Sequence, residues 1–261
     1  MHGIALGVAY QGTHFHGFAR QPGMRTVYSA LLQAVQCMGS DVTELRGLSR
    51  TDSGVHARAQ VVAFDSQQAI VSRGWVLGLN HHLPADLAVR SARTVPVGFN
   101  PRFASLGKRY VYSLLVDPLP DPLLAHATWH VHQPFDFDLA RAELEAAVGT
   151  HDFAAFRSAS DTRPSTERTI LRCSVTRNAG DPRCVDLEVE GAAFMHNMVR
   201  ILAGTVVDVG LGRKKPGTLA LALASGNRQD SGRTAPPQGL VLAASQLDWP
   251  EGTGEAWPAS A

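Results

Sequence analysis

Hydrophobic periodicity along this chain gives the order β-α-β-β-α-β and then begins that order again, and few folds accept such a doubled pattern. Gly3 to Tyr10 alternates as a strand, and Thr26 caps a helix with apolar Val27, Leu31, Ala34, Val35 and Met38 on one face. Glu44 to Ser49 and Ala59 to Asp65 read as strands, Ser72 caps a short helix to His81, and Leu87 to Val95 is a strand. The second round runs through a strand at Lys108 to Val116, a helix at Leu139 to Val148, and strands at Arg168 to Arg177 and Cys184 to Glu190. An amphipathic helix from Phe194 to Val209, a shorter one from Thr218 to Ala224 and a strand from Leu240 to Leu247 complete it.

Each round is the pattern of a split, ferredoxin-like unit, and the repeat is architectural rather than textual. The expected fold class is therefore α+β. Residues 1–103 form an N-terminal half, 104–248 a C-terminal half, and the segment Phe99-Asn100-Pro101-Arg102-Phe103 links them beside a cleft. Residues 249–261 have prolines and glycines without periodicity and are expected to be a disordered tail.

With 261 residues the chain is long enough to bury a core in each half. Hydrophobic residues at 44% and charged residues at 18% exclude wholesale disorder. No apolar run approaches the roughly 20 residues of a membrane span, and Met1 to Ala5 lacks the character of a signal peptide. Cys37, Cys173 and Cys184 lie far apart, which argues against a disulfide framework or a zinc knuckle. The expectation is a soluble protein of a reducing compartment. A net charge of +1 does not mark a dedicated polyanion binder. Only Lys108, Lys214 and Lys215 are lysines among 24 basic residues, a bias that base composition explains before function does.

The segment Arg50-Thr51-Asp52-Ser53-Gly54-Val55-His56-Ala57 carries the most chemical information. Asp-Ser-Gly between strands is ordinary turn chemistry, and taken alone it reads as a turn. An arginine two residues before the acid, on the same side of an extended backbone, and a histidine four after it make Asp52 a candidate functional carboxylate. Arg157, Arg163, Arg168, Arg172 and Arg177, with Arg20, Arg25, Arg213, Lys214 and Lys215, are candidates for phosphate contact against a default of solvated surface. Histidines 14, 16, 81, 82, 126, 130 and 132 lack the cysteine or carboxylate that would complete a zinc set at short spacing.

Five segments in order then resemble one family. They are Arg50 to Ala57; Lys108-Arg109-Tyr110-Val111-Tyr112; His151-Asp152-Phe153-Ala154-Ala155-Phe156-Arg157; Gly191 to Arg200; and Thr234 to Leu242. Together they are similar to the signature of the TruA family of tRNA pseudouridine synthases, over about Gly3 to Leu247. The resemblance implies two ferredoxin-like halves in one continuous, mainly antiparallel sheet, with helices on one face and a central active-site cleft. It implies a cytoplasmic homodimer that converts uridine to pseudouridine at positions 38 to 40 of the tRNA anticodon arm, without cofactor or metal.

By the same resemblance Asp52 is the essential carboxylate, and Arg200 keeps it ionised and oriented. Tyr110 stacks on the uracil, Leu240 or Leu242 forms an apolar floor, and Arg50 props open the space that the target nucleotide leaves. His56 is expected to bond the loop backbone beside the substrate. Which atom Asp52 attacks first is left open. From the residues alone, Arg200 reads as a solvated helix position and Tyr110 as a core aromatic. Phe18, Ala19, Tyr28, Asn100 and Pro101 depart from the family pattern at loop, linker and helix-start positions, which bears on RNA contact rather than on catalysis. A silent RNA-binding module, or a hydrolase with a second carboxylate, are the competing readings.

Overall fold

A computed structural model describes residues 1–258 of the chain. The residues group into two compact units, Met1–Leu106 together with the chain from Leu242 onward, and Gly107–Val241. Both are α+β, and the strands are mostly antiparallel. The chain leaves the first unit after Leu106 and its final strand returns to that unit at Leu242.

Unit 1 contains β1 (His2–Tyr10), α1 (Val27–Cys37), β2 (Arg46–Gly47), β3 (His56–Ser66), α2 (Ser72–His82) and β4 (Leu87–Val95). β1 lies between β4 and β3, antiparallel to both, and β2 pairs with β3, which is the ferredoxin-like order. Leu6 stands opposite Val62 on one side and Ala92 on the other. Because β1 is central, Gly3 to Leu6 are buried in succession instead of alternately.

Thr26 and Ser29 form a reciprocal capping box at the start of α1, as the sequence suggests. α2 departs from expectation: Val71 is its N-cap, no side chain caps it, and Ser72 is already helical. Trp75 anchors α2 edge-on against Phe64 at 5.2 Å between ring centroids. β2 is shorter than the predicted 44–49. Beyond Gly47 the ladder continues only through Leu48 N to Val61 O, and Ser49 then bonds the side chain of Gln60 instead of a backbone partner.

The tail is not disordered over residues 249–258. Trp249 stacks on Phe99 at 5.6 Å, Arg93 covers the Trp249 ring at 4.2 Å, and Gly254 N donates to Thr94 O. Trp257 exchanges both backbone hydrogen bonds with Ala92, extending the exposed edge of β4. Two tryptophans and an unpaired strand edge outweigh the loop-like composition. Residues 259–261 of that expected tail lie outside the described residues.

Unit 2 contains most of β5 (Ser105–Val116), then β6 (Trp129–Val131), α3 (Phe137–Glu145), β7 (Gly149–Asp152), β8 (Glu167–Arg177), β9 (Cys184–Gly191), α4 (Met198–Gly210), α5 (Thr218–Ser225) and the start of β10 (Leu240–Leu247). β5 pairs with β9, β9 with β8 and β8 with β7, all antiparallel, while β6 joins β5 in parallel. β6 and β7, at three and four residues, are too short to leave a periodic signal. α3 is capped by Asp136, whose carboxylate accepts from Leu139 N. Glu143 on α3 in turn accepts from Gly217 N and Leu219 N at the start of α5.

α4 is the centre of this unit. The predicted amphipathic helix from Phe194 is instead a helix from Met198 in which every residue except Arg200 is buried. Its start is set by Asn197, held at φ 61°, a left-handed conformation in which helix cannot continue backward. Gly204 allows the chain at Arg233 to lie directly on the helix, since a Cβ there would stand 1.9 Å from the Arg233 carbonyl oxygen.

Replacing Trp249 with Ala is expected to destabilise unit 1 by about 1–3 kcal/mol, through the lost stack and the uncovered Arg93. Urea unfolding should show a lower midpoint at an unchanged slope.

Candidate active site

In unit 1 the acid-bearing loop runs from Leu48 to Val55 between β2 and β3, and it is fastened from both sides. Thr51 O accepts from Phe18 N at 3.1 Å, Gly54 N donates to Phe15 O, and Val55 N closes a turn onto Asp52 O at 3.1 Å. Gly54 lies at φ 79°, which the third position of such a turn requires and an ordinary side chain resists. Gly12 lies so close that a Cβ would stand 2.1 Å from Val55 O. Its N–H donates to Nδ1 of His56 at 2.9 Å, so this nitrogen is the acceptor and the ring is neutral in that bond.

A buried polar layer backs the loop. The Gln60 amide oxygen accepts from Ser49 N and Val61 N, while its NH2 group donates to Ser49 O at 2.8 Å and to the Tyr10 hydroxyl. Tyr10 Oη is 2.8 Å from Thr51 Oγ1, one residue before the acid. The supporting 12–18 loop is itself clamped. Arg25 lies over the Phe15 ring at 4.0 Å and forms a bidentate pair with Asp86, whose carboxyl it holds below the ordinary range. Asp52 is half-buried on this platform, Arg50 is exposed, and Leu242 is fully buried.

In unit 2, Arg200 is fixed along its length. Nε donates to Ala235 O at 2.8 Å, Nη1 donates to the side-chain oxygen of Asn197 at 2.8 Å, and its own carbonyl accepts from Ala235 N. Tyr112 donates to Pro236 O at 2.7 Å, so the 235–236 segment joins strand β5 to helix α4. Burial pushes the Tyr112 phenol well above its ordinary pKa, and the nearby Arg200 charge offsets only part of that. Tyr110, two residues earlier on β5, is buried and meets the edge of Phe194 at 5.1 Å between centroids. Leu240 is buried at the start of β10.

Among the cations singled out for phosphate contact, several are engaged within the protein. Arg157, Arg168 and Arg177 donate to backbone carbonyls, Arg172 pairs with Glu190, and Lys214 donates to Asp230 O. Arg163 pairs with Asp161, and Arg213 donates to the Gln133 side chain. Arg20 and Lys215 are exposed. Among the described residues no cluster of His, Cys, Asp or Glu could hold a metal, and no helix is long and apolar enough to cross a membrane. Tyr10, Gln60, Asn197 and Asp161 are supporting residues that sequence reasoning missed. Isolated polar residues carry no periodic signal, and only the folded chain shows what they hold.

A family model described as tRNA pseudouridine synthase matches residues 7–104 and 144–248. Curated relatives named tRNA pseudouridine synthase A include one from Geobacter sp. strain M21, 41% identical over 96% of this chain and 100% of that protein. Another, from Myxococcus xanthus, is 39% identical over 92% of this chain and 89% of its own length. A third, from Acetivibrio thermocellus, is 35% identical over 93% and 98%. The chain belongs to the tRNA pseudouridine synthase family, and it is an isomerase acting on tRNA uridine.

The Asp161 carboxyl is held below its ordinary value, chiefly by the side-chain bonds from Arg163. Its contribution to stability is complete above the ordinary carboxylate pKa and is lost progressively as pH falls through the depressed one. The melting temperature of an Asp161→Asn variant should thus lie well below wild type at pH 7, with the gap narrowing toward pH 2. A gap that stays constant across that range would contradict this assignment.

Proposed function

We propose that this isomerase converts uridine to pseudouridine in the tRNA anticodon arm, at positions 38 to 40, with Asp52 as its essential carboxylate. The observation that carries the reading is the anchoring of the 48–56 loop. Thr51, Gly54, Val55 and His56, the neighbours of the acid, each take a hydrogen bond from or give one to another part of unit 1 or the turn itself. That is how a reactive group is held at productive geometry. The reaction breaks the C–N glycosidic bond, turns the uracil and joins its C5 to the same sugar carbon, with the C5 proton released and a proton taken up at N1. Substrate and product are isomers, so no second substrate enters.

The target nucleotide has to leave the base stack to reach a side chain on a loop. Arg50, exposed beside the acid, is suited to occupy the space it vacates. Tyr110 offers its ring to the uracil, and Leu240 and Leu242 supply apolar surface that keeps water from the detached base. Arg200, its guanidinium oriented by Ala235 and Asn197, offers a positive charge to the complex with substrate. His56 serves the site through the Gly12 bond that shapes the loop's end. The protein works in the cytoplasm as a homodimer, and light scattering at micromolar concentration should return twice the chain mass of 28.0 kDa.

The central test uses tRNA tritiated at uracil C5. Wild-type protein should release tritium into water, and Asp52→Asn should lower the rate by at least about a thousandfold, the scale of losing a group essential to the chemical step. Equal release by the variant would remove Asp52 from the mechanism. Binding without release by wild type would make the protein a silent RNA-binding module, and release of free uracil would make it a hydrolase.

A further inference from the structure

We propose that Asp161 is a positioning residue for this reaction, setting the turn on which both Tyr110 and Arg200 rest. This rests on the roles given to those two residues above. Asp161 lies in the loop after β7, outside any helix or strand, and its side chain is only 4% exposed. Its carboxylate accepts from the Arg163 side chain at Nε and Nη2, from Arg163 N at 3.1 Å and from His196 N at 2.9 Å. Ser158 N donates to His196 O, and Arg163 Nη1 reaches past the acid to donate to Phe194 O at 3.0 Å. The carboxylate and its arginine therefore grip the backbone of residues 194–196 from one side.

Each end of the gripped turn leads to a candidate active-site residue. At one end Phe194 places its ring edge-on against Tyr110, with 83° between the planes. At the other, Asn197 follows His196 directly, adopts the left-handed conformation and orients Nη1 of Arg200. Among the described residues this carboxylate of unit 2 accepts from its own loop and from this turn, and it thereby sets the path of residues 194–197. Loosening that path moves the tyrosine ring and the guanidinium together while leaving β5 and α4 in place. A misplacement of about 1 Å at a reacting centre costs on the order of a hundredfold in rate.

The test compares kcat, KM and the tRNA dissociation constant for the full-length protein and for Asp161→Asn, with rates expressed per folded enzyme. Asp161→Asn is expected to lower kcat by about ten- to a hundredfold while KM and the dissociation constant change less than about threefold. Asn197→Gly keeps the backbone conformation and removes the bond to Arg200. In that background Asp161→Asn should cost no more than about twofold further, because both changes act through one turn. Arg163→Lys keeps the charge but gives up the fork, and it carries the same test if Asp161→Asn fails to fold.

An unchanged kcat in the folded variants, or losses that multiply fully with Asn197→Gly, would overturn the inference. Tyr110→Leu, which removes the ring, and Arg200→Ala, which removes the charge, separate the two levels of reading. If these abolish activity and the Asp161 and Arg163 variants do not, only the positioning role falls. If they are silent, the assignment of the site falls first and this inference with it.

Discussion

The backbone of the 48–55 loop is the constraint on which unit 1 is organised. A loop without a ladder must satisfy its polar groups elsewhere, and each ordered residue costs roughly 1–2 kcal/mol of conformational entropy. Here the partners are supplied by the 12–18 loop in front and by a buried layer behind, where one glutamine amide uses all of its hydrogen-bonding capacity. Packing this dense requires Gly12, because any side chain there would collide with the carbonyl of Val55. The acid is thereby presented by a segment whose backbone is hydrogen-bonded to the chain on both sides.

Unit 2 solves the corresponding problem with different chemistry. It places its arginine on the only residue of α4 that is not buried, then uses a backbone carbonyl and an asparagine oxygen to fix the planar group. Charge-assisted bonds of this kind are short and directional, so the guanidinium is oriented as well as positioned. The same 235–236 segment that accepts from Arg200 also accepts from Tyr112, which makes strand, helix and connecting chain one hydrogen-bonded assembly.

The excess of arginine over lysine has a structural use that neither base composition nor RNA contact anticipates. Arg46, Arg157, Arg163, Arg177, Arg200 and Arg228 each donate to the carbonyl of a loop or turn, at Phe99, Arg163, Phe194, Pro182, Ala235 and Gly232 respectively. A five-donor fork can hold a carboxylate and a carbonyl at once, as Arg46 and Arg163 do, and lysine offers no such geometry. In a protein with long irregular connections, this is a way of satisfying peptide groups that no strand or helix reaches.

The amino-acid sequence by itself determined the order of elements apart from β6 and β7, the α+β class, the capping of α1 and the family, because periodicity, caps and motifs are local properties of the chain. The motifs single out Asp52, Tyr110 and Arg200 as candidates, yet the residues that bond around them carry no such signal. Tyr10, Gln60 and Asp161 reach residues 41, 50 and 35 positions away, and hydrogen bonds across such separations leave no local trace. For the same reason tertiary structure alone decided that β2 stops at Gly47, that α4 starts at Met198, that the last strand joins unit 1 and that Trp249 and Trp257 bind the tail. Each of those outcomes was set by a competing partner elsewhere in the fold, and a partner's position is knowable only once the chain has folded.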